Sequence, residues 1–154
     1  MTARRLLALV SAATAATSLF GAAACNEMGC DTSPDSNPPA DFRGGEVVTT
    51  SGGPVYRTST AEGEHLNFAA GAQFRVHHQL GGVPQTVQLW VSFSAHGTTD
   101  GNEAQPAGNM AEVLCVNEDF ILLRNDSCGE YWLRVVASDP VAPMSTGAVD
   151  SACP

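Results

Sequence analysis

Apolar and polar residues alternate with a period of two over much of the chain. The clearest run is Gln85-Thr86-Val87-Gln88-Leu89-Trp90-Val91-Ser92-Phe93-Ser94-Ala95, where the odd positions from Val87 onward are apolar and the even ones polar except Trp90. Successive side chains of a strand point to opposite faces, so this pattern predicts a half-buried strand. Residues 73–80 alternate in the same way, with Phe74, Val76, His78 and Leu80 on one face and His77 on the other. Shorter strands are predicted over 55–58, 65–68, 111–116, 120–124 and 131–137. Glycine, proline, asparagine and aspartate fill the gaps, where they favour turns through positive φ, a fixed φ or local side-chain hydrogen bonds. No segment carries a helical period of useful length. The expected fold is therefore all-β: a small antiparallel β-sandwich, jelly-roll or immunoglobulin-like, over residues 46–154.

The N-terminus follows a different pattern. Arg4 and Arg5 precede an uncharged stretch from Leu6 to Ala24 that ends in small residues just before Cys25. Its strongly apolar part, Leu6 to Val10, is short and the rest is diluted by alanine, serine and threonine. This is the layout of a signal peptide over residues 1–24. Residues 31–45 contain three prolines and almost nothing apolar, so residues 25–45 read as a flexible polar linker.

Ala22-Ala23-Ala24-Cys25 resembles the lipobox of bacterial lipoprotein precursors, with Ala22 where that family usually has a larger aliphatic residue. The resemblance implies that Cys25 is lipidated and becomes the mature N-terminus, and that the protein sits in the bacterial cell envelope, at the outer membrane or cell surface, held by its lipid. The same residues also read as an Ala-x-Ala cleavage site, which would release a secreted protein.

Charge and cysteine content narrow the picture further. The 154 residues hold 16 acidic side chains against 7 basic ones, all arginine, for a net charge of −9. Removing residues 1–24 takes away two arginines and no acid, so the remainder carries 5 against 16, or −11. Nucleic acid is excluded as a partner, because phosphate affinity depends on clustered basic residues. Five cysteines are an odd number. Lipid on Cys25 leaves Cys30, Cys115, Cys128 and Cys153, an even set for two disulfides in an oxidising compartment. If 111–116 and 120–124 form a hairpin, Cys115 lies beside its turn and Cys128 beyond its other end, too far apart to bond. Cys30–Cys128 with Cys115–Cys153 is then preferred, with Cys30–Cys153 as the alternative.

Several residues carry candidate chemistry. Ser94, His96 and Asp100 are the residue types of a hydrolytic triad, but such a triad is defined by spatial roles and no nucleophile-elbow motif is present. His77 and His78 point to opposite faces of one strand and cannot readily share a zinc ion. Asp100, Asn102 and Glu103 in the long 97–110 loop offer oxygens to calcium without an EF-hand spacing. Asn125-Asp126-Ser127 has the form of a glycosylation acceptor and reads as a turn. Trp90, on a polar face with Gln88, Ser92 and His96, suits sugar stacking or a protein contact. Trp132 and Arg134 share a face in the same manner. Residues 78–87, His78-x-Leu80-Gly81-x-x-Pro84-x-x-Val87, are similar to a turn seen in lectin-like and phage-tail β-sandwich domains, which implies the sandwich and no specificity. The resulting expectation is an exported lipoprotein with a binding or surface-structural role, no catalysis and no required cofactor. A glycan-recognition module centred on Trp90 and an envelope hydrolase using Ser94, His96 and Asp100 are the alternatives.

Overall fold

A computed structural model of the chain describes residues 30–141 and 153. Nine strands are present among the described residues: β1 (Ala40–Phe42), β2 (Glu46–Thr50), β3 (Gly53–Arg57), β4 (Leu66–Phe68), β5 (Gln73–His77), β6 (Val83–Ser92), β7 (Glu112–Val116), β8 (Phe120–Arg124) and β9 (Tyr131–Val141). The only helical element among the described residues is a 3-10 turn, Gly108–Met110. One sheet has the order β1-β5-β8-β7; the other joins β2, β3 and β9, with β4 beside β9 on the β3 side and β6 along its opposite edge. The two sheets form a β-sandwich. Tyr56, Leu89, Val91, Leu133, Val135 and Ala137 from one sheet meet Val76, Ile121 and Leu123 from the other in a buried core.

Period-two alternation produces this directly. Leu133, Val135 and Ala137 of β9 are buried, while Trp132, Arg134 and Val136 between them lie on the outer face and are partly exposed. β9 spans both halves of its sheet, pairing with β6 over nearly its whole length and with β3 and β4 in turn on its other side.

Two strand ends differ from the alternation pattern. β5 stops at His77 because Gln79 takes a left-handed backbone (φ 53°). His78 is nonetheless fully buried: its Nε2–H donates to Asn117 O at 3.0 Å, and its Nδ1 accepts from Leu80 N–H at 3.2 Å. β6 stops at Ser92, whose hydroxyl donates to Ser94 O at 2.6 Å and turns the chain out of the sheet. The sandwich also departs from purely antiparallel pairing, since β1 runs parallel to β5.

Residues 31–45 are not a free linker. Cys30 is bonded to Cys128, with Cα atoms 5.4 Å apart. Asp31–Asn37 folds into a hydrogen-bonded turn, and Gln73 Nε2 donates to Asn37 O at 2.7 Å. Gly71, at φ +72°, lies so close beneath this turn that a Cβ would press on Asp31 O and Asn37 Nδ2. Composition predicts an extended tether because the segment has few apolar side chains to bury. Backbone hydrogen bonds and a covalent cross-link order it instead. Cys115 is bonded to Cys153, with Cα atoms 5.7 Å apart, and β7 and β8 form the hairpin that keeps Cys115 from Cys128.

Candidate functional site

The 93–110 segment folds back over the outer face of β6 and β9. An isolated bridge, Val91 N to Ala104 O and Ala104 N to Val91 O at 2.8 and 2.9 Å, ties it to β6. The central group beneath it is Glu103, whose side chain is only 9% exposed. Arg134 clamps this carboxylate with both Nε (2.6 Å to Oε1) and Nη2 (2.9 Å to Oε2), and Thr98 donates its hydroxyl at 2.6 Å. His65 Nε2 lies 3.2 Å from Glu103 Oε1, at an angle too bent for a full hydrogen bond. On the far side of the ring, Ser59 Oγ is 3.1 Å from Nδ1. Planar bidentate pairing suits a guanidinium and a carboxylate in partial burial, so Glu103 fastens the loop to the sheet.

Ser59, His65 and Glu103 stand in a serine–histidine–carboxylate row, the residue types that the alternative hydrolase reading places at Ser94, His96 and Asp100. The arrangement favours a fastening role over catalysis. The His65 side chain has no solvent exposure, and Glu103 is already neutralised by Arg134. A general base must reach a proton on substrate. No motif marks this set in the sequence, because its members are 6 and 38 residues apart and meet only when the loop closes.

Ser94 and Asp100 do meet, but directly: Ser94 Oγ donates to Asp100 Oδ2 at 2.5 Å, and Asn102 joins them. His96 is exposed and makes no side-chain hydrogen bond among the described residues, so the imidazole does not stand between nucleophile and carboxylate. Ser94, His96 and Asp100, the set of the alternative hydrolase reading, do not stand in triad order here. The calcium set is divided as well. Asp100 is exposed while Glu103 turns inward to Arg134, and among the described residues no three His, Cys, Asp or Glu side chains gather as a metal cluster. Trp90 is only half-buried, yet the Arg134 guanidinium lies 5.5 Å from its ring centroid. This cation–π contact covers one face of the ring. Gln88 is exposed beside it, and no bond joins Gln88, Trp90 and His96 into one site. Asn125 is wholly buried and holds a turn.

The Glu103 cluster makes stability pH-dependent. Burial holds the His65 pKa below its ordinary 6.5, outweighing the nearby Glu103 charge. For Glu103, burial alone would raise the pKa. The hydrogen bonds from Arg134 and Thr98, with the Arg134 charge, bring it below 4.5. Both folded values are depressed, so the unfolded chain binds more protons in each window and acid favours unfolding. The His65 contribution is intact above pH 6.5 and is lost as pH falls below it; the Glu103 contribution is lost below pH 4.5. The thermal midpoint is expected to decline through both windows, and Glu103→Gln to flatten the lower one. A midpoint that stays level or rises as pH falls below 6.5 contradicts this.

Two further surfaces lie at opposite ends of the sandwich. One end carries the Cys30–Cys128 bond, the 31–37 turn and the start of β9. There Phe93, 75% exposed, leans on Tyr131 with ring centroids 5.8 Å apart. An apolar cleft of about 200 Å³ opens beside them, lined by Val91, Met110 and Ala104 among others. The other end carries the turns after β5 and between β7 and β8. There a shallow depression of about 520 Å³ is lined by Arg43, His77, Gln79, Gly81, Glu118 and Asp119, and it continues past Arg75 and Asp41. His77 Nε2 is 2.9 Å from Asp41 Oδ1, and that hydrogen bond, with Arg75 and Arg43 nearby, holds the Asp41 pKa below its ordinary value. Arg43 makes no ion pair among the described residues. No family model, curated protein or solved structure matches the chain.

Proposed function

We propose that this chain is an exported bacterial lipoprotein, anchored by lipid on Cys25 in the cell envelope, whose β-sandwich acts as a binding module. The observation that carries the reading is the pairing of Cys30 with Cys128 and of Cys115 with Cys153, which uses every cysteine but Cys25. Cys25 itself and residues 1–24 lie outside the described residues. A thiol left over in an otherwise fully disulfide-bonded chain invites mispairing during export, and acylation removes it.

With the anchor five residues before Cys30, the depression around Arg43, Arg75 and His77 sits at the end of the sandwich away from the anchored one. It is the surface offered to the surroundings. Two of the five arginines outside residues 1–24 line it, in a chain that is otherwise strongly acidic. Asp41, Glu118 and Asp119 line it as well, and Arg75 Nη1 is 3.5 Å from Asp41 Oδ1, so the surface offers mixed charges to a polar ligand.

Growing the source cells with an alkyne-tagged fatty acid tests the anchor. The mature protein is expected to take the tag and fractionate with membranes, while Cys25→Ala loses both. An untagged mature protein rejects the reading.

A further inference from the structure

The position of the anchor relative to the fold points to a second attachment. Cys30 is fixed to Cys128, so Cys25 is five residue steps from a rigid point, a reach of at most about 18 Å at full extension. A lipid at Cys25 therefore brings the Cys30–Cys128 end close to the bilayer. The Phe93–Tyr131 pair is at that same end. Tyr131 lies three residues beyond Cys128, and its ring packs so tightly over Gly129 that a Cβ there would overlap it. Phe93 rests on Tyr131 from the other side.

Phe93 is the most exposed large apolar side chain among the described residues; the next, Val141, is 48% exposed. It continues the inward-facing row of Leu89 and Val91 past the end of β6, where the sheets no longer cover it. Phe93, Tyr131 and the cleft beside them form one contiguous apolar patch, the kind of surface that marks a contact site.

We infer that a phospholipid bilayer covers it: the aromatic end of the sandwich rests on the membrane, with Phe93 at the boundary between headgroups and acyl chains. This rests on the lipid-anchor reading. One phenylalanine is too little apolar surface to hold a domain on a bilayer by itself. The short connection to Cys25 makes the contact intramolecular and so raises its effective concentration. Aromatic rings also favour the membrane interface. Asp31, Asp35, Asp126 and Glu130 lie around the same end, in the 31–37 and 125–130 turns, so the contact favours zwitterionic over anionic lipid. The docked domain is thereby oriented, with the Arg43–Arg75 depression directed outward.

The test uses the mature acylated protein in phosphatidylcholine vesicles, with or without bromine on the acyl chains. Phe93→Trp adds an indole at the aromatic end, and Val47→Trp adds one on β2, away from it. After subtraction of the wild-type emission from Trp90 and Trp132, brominated lipid is expected to quench about half of the emission added by Phe93→Trp and little of that added by Val47→Trp. Mixing in phosphatidylglycerol is expected to lessen the quenching. No quenching of Phe93→Trp, with the acyl group on Cys25 verified by mass, overturns the docking and leaves the anchor standing; a protein or glycan then covers Phe93. Absence of the acyl group overturns the anchor, and the docking with it.

Discussion

Asn125→Asp is expected to lower the unfolding free energy of the domain by about 4 kcal/mol, a large part of the 5–15 typical of native domains. Asn125 is wholly buried. Its Nδ2 lies within 2.8 to 2.9 Å of three backbone carbonyls, Phe68 O, Ala69 O and Gly129 O, while Oδ1 accepts from the amide and hydroxyl of Ser127. One amide thus joins β4, the turn after it and the turn that carries Cys128. Aspartate has nearly the same shape, but it presents an acceptor oxygen to three carbonyls and buries a charge without a cation. Asn125→Ala removes the repulsion and leaves the carbonyls unpartnered, for a smaller loss of about 2–3 kcal/mol. Urea unfolding of the three proteins measures the difference. Equal midpoints for aspartate and alanine would show that the buried charge contributes nothing.

Removing the Cys30–Cys128 bond with Cys30→Ser and Cys128→Ser is expected to cost about 4 kcal/mol, because the bond closes a separation of 98 residues and the unfolded chain regains that freedom. For a domain of this size the thermal midpoint falls by roughly 15 °C. The loss has a local part as well. The 31–37 turn and its bond from Gln73 depend on Cys30 being held, so amide exchange over 31–42 rises more than over β8 or β9. Because Asn125 and Cys128 order the same turn, the serine and aspartate changes combined are expected to cost less than their sum. Uniform exchange across the sandwich would mean that β1 pairing alone orders the N-terminal segment.

Much of this fold is legible in the alternation of residues 85–95, 73–77 and 131–137, because a sandwich core reads out period two wherever one face is buried. The hairpin at Asn117-Glu118 and the distance between Cys115 and Cys128 follow from strand lengths alone. β1 and β2 are not legible in the same way. Ala40–Phe42 is a short edge strand held by backbone pairing with β5, and Glu46–Thr50 is almost wholly exposed, so neither leaves an apolar stripe. The candidate chemistry at Ser94, His96 and Asp100 drew on nearness in sequence. The loop instead buries Glu103 against Arg134 and His65, residues whose meeting depends on long-range closure. Trp90 illustrates the same limit: its place on the outer face was legible, the guanidinium over its ring was not. Alternation alone makes Phe93 one more inward position of its strand, and its exposure follows only from where the sheet ends.

On the lipoprotein proposal, four cysteines belong to the fold and the fifth carries the lipid. Mass mapping of unreduced peptides from the mature envelope protein tests it most directly. An N-terminal Cys25 peptide carrying acyl chains is expected, with one linked peptide joining Cys30 to Cys128 and another joining Cys115 to Cys153. A mature N-terminus elsewhere, or Cys25 found in a disulfide, would contradict it.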